Sequence, residues 1–324
     1  MTGGRPPLSR RRALAMLGLG GLACSQDEGP FPSREIKLIV QAAPGGASDT
    51  VSRIMGSLIE PELGVPVVCE NKPGASGALA FSYVVRRPPD GYTLGHAPVE
   101  IAMVRSLGYA DVGPEEMTLL SLVAKIPPAL VVRQDAPWQD FSAFVEAARR
   151  EPGAVIVANS GTGSIWHFNA LLLERRTGIR VTHVPYSGSS NALVSLLGGH
   201  LDAAVAGVSE VVPQIEAGQV RALAVLDEAR AAVLPNTPSV GELGPAFGAP
   251  AWSGFFGPAG VPVAIQEKLQ QAFAAAFDHE RWRSLCEERG MTPELLSGAA
   301  FERFALAQAE FFAREIPELL RMER

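Results

Sequence analysis

The sequence predicts an α/β protein of two lobes, each a mostly parallel sheet flanked by helices. Three observations carry that prediction. Short β-branched runs alternate with helical patterns, which means parallel strands joined by right-handed crossovers. A chain of 324 residues is long enough for two cores of ordinary domain size. After Pro262 the alternation stops and the pattern becomes helical, so the chain ends by covering something already built.

The elements follow in order. Residues 36–40, 67–70 and 92–95 read as strands, separated by helical stretches at 48–60 and 77–86. A strand at 129–133 opens a second series: helix 141–150, strand 154–158, helix 164–177 and strand 180–184. Helix 189–197, strand 203–206, helix 209–217 and strand 220–225 complete it. Helices at 263–277, 280–289 and 298–320 close the chain. We therefore expect residues 32–129 plus 249–324 to form one lobe and 130–248 the other. The chain would cross twice between them, leaving a cleft at the carboxyl ends of the parallel strands, where open α/β sheets bind ligands.

Composition narrows the function. The net charge is −6, and Arg5, Arg10, Arg11 and Arg12 sit in an N-terminal stretch without acids, so the body is more acidic still. No Lys/Arg cluster suited to phosphate neutralisation occurs, which excludes nucleic acid as the expected partner. "SRRRALAMLGLGGLAC" joins a basic n-region to an apolar h-region too short to span a bilayer as a mature helix. Residues 1–31 therefore read as an export signal with a short linker. The arginines around Arg11 fit a twin-arginine signal as well as an ordinary basic patch. "GLAC" would lipidate Cys24 if it were a lipoprotein cleavage site, but Gly21 fits the third position back poorly, so both readings stay open. Cys69 and Cys286 lie in apolar contexts and read as free thiols rather than a disulfide. No Cys/His spacing for zinc occurs, and no metal or cofactor is expected.

Three loops could carry chemistry. "QAAPGGASDTVSR" (41–53), "NSGTGSIWH" (159–167) and "VPYSGSSNAL" (184–193) each lead from a strand into a helix. Each offers backbone N–H groups at a helix N-terminus, where negative charge is favoured. Ser160, Thr162, Ser164, Ser187 and Ser189 add hydroxyl donors. None of the loops holds a Lys or Arg before its helix starts, and "SGTGS" lacks the lysine of a phosphate-binding loop. A cradle of amides and hydroxyls suits a carboxylate that must later be released. The plainer reading is that each loop is a glycine-containing turn with a Ser or Thr cap.

Nucleophilic catalysis finds little support. None of the five histidines belongs to a Gly-x-Ser-x-Gly elbow. His167 would face the sheet and pack, Asp49 would cap the first helix or hold a bridging water, and Asp202 reads as a turn residue. Were the protein an enzyme, Asp49 with His183 would be the least unfavourable pair.

Taken together the motifs resemble the Bug family of extracytoplasmic solute receptors, which serve tripartite tricarboxylate transporters. The resemblance runs over about residues 32–320. It rests on "PGGASDTVSR", "VVCENKPGASGALA", "PPDGYTL", "NSGTGSIWH", "HVPYSGSSNALVSLLGGHLD", "AGQVRALAV", "NTPSVGELG" and "AWSGFFGPAGVP". It implies a type II-like periplasmic-binding-protein clamshell without enzymatic activity. Such a protein is periplasmic, monomeric, and hands a small carboxylate to membrane permease subunits; a ligand-sensing role toward a regulatory partner is the alternative. Carried over by residue, Gly45, Gly46, Ala47, Ser48 and Asp49 would bind the carboxylate. Ser160, Thr162, Gly163 and Ser164 would close from the other lobe, with Tyr186 and Asp202 lining that side. The chain departs from the pattern at His96, Ala97 and Pro98, through residues 97–116, and at Asn191. These positions belong to the half of the pocket that would read the far end of the ligand.

Overall fold

Two strands that the alternation rule does not anticipate decide the architecture. β1 (Ile36–Val40), β2 (Val67–Asn71) and β3 (Thr93–Pro98) run parallel, linked by α1 (Ala47–Leu63) and α2 (Ala78–Val84). β4 (Met117–Ile126) then leads through Pro127 directly into β5 (Pro128–Arg133), and these two belong to different sheets. The first change of sheet thus falls at Pro127, slightly before the boundary expected at 129–130.

The second series is α3 (Phe141–Arg150), β6 (Ile156–Asn159), α4 (Ile165–Thr177), β7 (Thr182–Pro185), α5 (Ser189–Leu197), β8 (Ala203–Gly207), α6 (Val208–Glu216) and β9 (Val220–Val225). After the short α7 (Val240–Leu243) the chain returns through β10 (Ala251–Pro258). It then forms α8 (Val263–Asp278), α9 (Glu280–Arg289), β11 (Thr292–Ser297) and α10 (Ala299–Met322). This computed structural model describes residues 30–322 together with Met1 and Gly3. The expectations for the export signal and for Cys24 lie outside the described residues.

The six-stranded sheet has the order β11-β4-β10-β3-β1-β2, and the five-stranded sheet β7-β6-β8-β5-β9. Both are mixed but mostly parallel in strand direction, as expected: β1–β4 share one direction in the first and β6–β9 in the second, while β5, β10 and β11 run against them. β10 lies antiparallel between β3 and β4, β11 pairs antiparallel with β4, and β5 lies antiparallel between β8 and β9. The reason is topological. β5 and β10 are the first strands after each crossing, so they enter their sheets from the cleft end, opposite to the helix-linked strands of the same sheet, whose carboxyl ends point to the cleft.

Alternation along the second sheet splits its core. Leu130, Val132, Val157 and Val205 face α3 and α4 and join the core of the first sheet. Ala129, Val131, Ala204 and Ala206 face α5 and α6 and form a separate cluster. α10 binds the two parts at the back: Phe312 packs edge-on to Phe168 of α4 at 5.1 Å, and Glu315 pairs with Arg175 at 3.0 Å. Cys69 and Cys286 are free thiols, and burial pushes Cys286 up to about 12. Among the described residues no helix is long and apolar enough to cross a membrane.

Candidate ligand-binding cleft

The loop before α1 is built for a tight approach of backbone. Gly45 has φ +86°, a conformation glycine adopts without penalty, and Gly46 caps α1 in extended conformation. Asp49 is 4% exposed and shapes this loop from beneath. Its Oδ2 accepts from the Gly45 N–H at 2.9 Å and Arg53 Nε at 3.0 Å, and its Oδ1 accepts from Asn71 Nδ2 at 2.8 Å. Burial pushes the Asp49 carboxyl up, but the Arg53, Gly45 and Asn71 donors together hold it below the usual range. Gly46, Ala47 and Ser48 line the main cavity, about 640 Å³, a size suited to a small ligand. Gly45 instead borders a smaller cavity of about 230 Å³ on the far side of Ala47. Asp49 lines neither, so its placement differs from a ligand-contacting one.

The second loop faces the first across the cavity, with Ser160, Thr162 and Ser164 on the lining. Its amides are mostly engaged already. Gly161 N–H donates to Asn159 Oδ1 at 3.0 Å, Gly163 N–H to His167 Nδ1 at 3.2 Å, and Ser164 N–H to the Gly161 carbonyl at 3.0 Å. What this loop presents is hydroxyls rather than a row of free N–H groups. Gly163 does not line the cavity; a Cβ there would stand 3.0 Å from the side chains of Leu107 and Tyr109. His167 packs at 2% exposure.

The third loop adds Tyr186, Ser187, Gly188, Ser189, Ser190 and Asn191 at the amino end of α5. Tyr186 is held by a 2.7 Å hydrogen bond to Ser195 Oγ, and Asn191 Nδ2 braces the Ser187 carbonyl at 3.2 Å. Asp202 lies elsewhere. It precedes β8, at the amino end of the parallel strands, where its Oδ2 accepts from the Ile156 N–H at 2.8 Å. The Asp49–His183 pair is not assembled either: His183 Nε2 stands 3.3 Å from Glu174 Oε2 on the second lobe, while Asp49 is committed to Arg53 on the first.

The cavity also contains groups that sequence reasoning missed. Ala75 and Ser76, in the loop after β2, have φ +47° and +49°, a costly conformation for residues with a Cβ. Ser76 Oγ reaches across to the Thr162 carbonyl at 3.1 Å, as does Tyr109 Oη. "KPGASG" is itself a strand–loop–helix stretch rich in small residues, so a local signal for it existed. Gln41 opens the first loop and His96 is one of the departures from the family pattern, but neither is marked as a site residue; Ser253 has no local signal, and His96 is not itself on the lining. Gln41 Nε2 donates to Ser48 Oγ at 2.9 Å, which turns its Oε1 toward His96 Nδ1, also 2.9 Å away. His96 Nδ1 therefore carries the proton, and Nε2 accepts from Ser253 Oγ at 2.5 Å. The ring is fully buried, and burial lowers its pKa to about 3.

Two half-buried carboxylates complete the lining. Glu100, in the 3₁₀ turn Val99–Ala102 after β3, accepts from the Ile165 N–H of α4 at 3.2 Å. Glu210, in the first turn of α6, accepts from its own Gly207 N–H at 3.1 Å and from the Ser189 hydroxyl, the Ala47 amide and the Trp166 indole. Each lobe thus places an acid on a helix N-terminus of the other. Burial pushes both carboxyls above the usual range against those donors, and Glu210 repels Glu100. Among the residues lining the main cavity there is no Lys, Arg or His.

This geometry, two mixed sheets around a cleft lined by three strand-to-helix loops, has close counterparts. The family model described as the tripartite tricarboxylate transporter family receptor matches residues 51–318. The chain belongs to this receptor family. The receptor is 30% identical to the protein BugT of Bordetella pertussis, over 88% of this chain and 90% of that protein. The solved structure of MatC from Rhodopseudomonas palustris with bound malate matches with TM-score 0.77 and 30% identity, covering 89% of the receptor and 98% of that chain. A second protein of R. palustris, solved with adipate, matches with TM-score 0.83 and 27% identity, covering 90% and 98%.

Proposed function

We propose that this receptor is a periplasmic, non-enzymatic solute-binding protein that captures a small organic carboxylate and delivers it to membrane permease subunits. Its lobes, residues 32–129 plus 249–324 and residues 130–248, would close on the ligand about the crossings. The single observation that carries this reading is the 640 Å³ cavity between the sheets, lined by backbone and hydroxyl donors without any basic side chain. Gly46 and Ser48 would hold the carboxylate from one side, beside Ala47, whose own amide is taken by Glu210. Ser160, Thr162, Ser164 and Tyr186 would hold it from the other. Malate bound to MatC and adipate bound to the second R. palustris protein support the chemical class. A carboxylate buried here is stabilised by charge-assisted hydrogen bonds, without which its desolvation would be prohibitive. Because few formal charges pair on binding, affinity should fall little between low and physiological salt.

The test is a thermal-shift panel of mono-, di- and tricarboxylates and amino acids on protein freed of ligand by partial unfolding. A ligand at a hundred times its dissociation constant adds about 2.7 kcal/mol. That raises the melting temperature by roughly 5 °C in a chain of this size. If a neutral sugar or a simple cation shifts the transition and no carboxylate does, the proposal fails.

A further inference from the structure

One side-chain relay, Ser48–Gln41–His96–Ser253, sets two hydroxyls on the lining of the main cavity in opposite senses. At one end Ser48 has its oxygen occupied by Gln41 Nε2, so its own O–H is left to donate into the cavity. At the other end Ser253 spends its O–H on His96 Nε2, so its oxygen is left to accept. The two hydroxyls are set in opposite senses by one relay, because the orientation of Gln41 fixes the His96 tautomer and that tautomer fixes Ser253. Ser253 sits opposite Pro98 in the β10–β3 pairing, two residues before Glu100. Glu100 gives one oxygen, Oε1, to the Ile165 N–H, and a carboxylate has about four lone-pair sites. Ser253 and Glu100 are therefore acceptors on the cavity lining, and Glu210, on the other lobe, is near enough to Glu100 to repel it while it takes the Ala47 amide beside Ser48. A dianionic ligand would bring two further negative charges against these two carboxylates, with no Lys, Arg or His on the lining to offset them.

We infer that the ligand carries a protonated amino group beside its carboxylate, and that Glu100 with Ser253 receives this ammonium while the Ser48 end receives the carboxylate. The receptor would then be selective for amino acids or related aminocarboxylates over the matching plain dicarboxylates. This rests on the carboxylate-receptor reading and deepens it by assigning the second charge of the ligand. Glu100 acts as the specificity residue by direct contact. Glu210 acts mainly by its field, since four donors already hold it.

The experiment is calorimetric titration of the ligand-free receptor with pairs that differ only in the amino group: aspartate against succinate, glutamate against glutarate, and 2-aminoadipate against adipate. At least one amino member should bind roughly tenfold or more tightly than its partner, the ratio expected for a single charge-assisted hydrogen bond. In Glu100→Gln, which keeps an oxygen for the Ile165 N–H, that ratio should collapse toward unity through weaker binding of the amino member. The melting curve of the unliganded variant establishes that it is folded. Glu210→Gln, tested in parallel, should reduce the ratio less. A plain dicarboxylate binding as tightly as its amino partner, or a ratio unchanged in folded Glu100→Gln, overturns the inference while leaving the carboxylate reading intact. No binding by any member of the three pairs or by the wider carboxylate panel would count against both.

Discussion

Lowering the pH from 7 to 5 is expected to remove about 2 kcal/mol of folding stability through His96 alone. The sign follows from the burial of this ring. In the unfolded chain His96 takes up a proton below its ordinary value of 6.5, whereas in the folded protein it stays neutral down to about 3. Between those limits the unfolded state binds more protons, so stability is fully present above pH 6.5 and declines steadily as the pH falls toward 3. Each pH unit well inside that window costs about 1.4 kcal/mol, so the whole interval is worth about 5 kcal/mol. The folded ring cannot protonate cheaply, because Nε2 already accepts from Ser253 and a second N–H there would meet no acceptor unless Ser253 turned. Denaturant melts of the wild type and His96→Gln at pH 7 and pH 5 isolate the effect. The variant should be less stable at pH 7 and should lose about 2 kcal/mol less on acidification. Equal losses in the two proteins would show that His96 is not the titrating group.

The same residue shows where sequence reasoning reached its limit. Loops 43–49, 159–164 and 184–191 were legible because a strand, a run of Gly and Ser, and a helix start are local signals that need only a dozen consecutive residues. Glu210 and Ser253 carry no such signal, and His96 and Glu100 stand out only through the departures from the family pattern at 96–116. His96 meets Ser253 across 157 positions of sequence, and that meeting depends on β10 being inserted antiparallel between β3 and β4. β10 itself was quoted as a motif and not read as a strand. "AWSGFFGP" has Gly and Pro where strand propensity is poor, and it holds because Gly254 lies against Phe301 and the Ser121 carbonyl, where no side chain fits. β11, "TPELLS", lies in the stretch left unassigned between helices 280–289 and 298–320, and it becomes a strand because β4 offers it an edge. Asp49 and Asp202 entered the pocket through the family resemblance; in the structure each accepts a backbone N–H, from Gly45 and from Ile156, and neither lines the main cavity.

Replacing Asn169 by leucine should cost about 3–5 kcal/mol, because two buried main-chain groups lose their partner together. Asn169 lies on α4 and is fully buried. Its Oδ1 accepts from the Ala249 N–H at 2.8 Å, and its Nδ2 donates to the Ala249 carbonyl at 2.9 Å and to the Ile165 carbonyl at 2.9 Å. Ala249 belongs to the return crossing between β9 and β10, so a helix of the second lobe holds the strand that leads back to the first. A helix carbonyl at Ile165 can tolerate the loss of an extra donor, but Ala249 pairs with no neighbouring strand and lies where water does not reach it easily. The segment has no slack with which to find another partner: Gly248, at φ +120°, presses against the Leu226 carbonyl so closely that any Cβ would collide with it. Leucine is close to asparagine in size, so the loss would be one of hydrogen bonding rather than of packing volume. The melting temperature should fall by roughly 10 °C in a chain of this length. A fall of less than about 2 °C would mean that the crossing is held by packing around Phe247 and Trp252, and that this amide clamp contributes little.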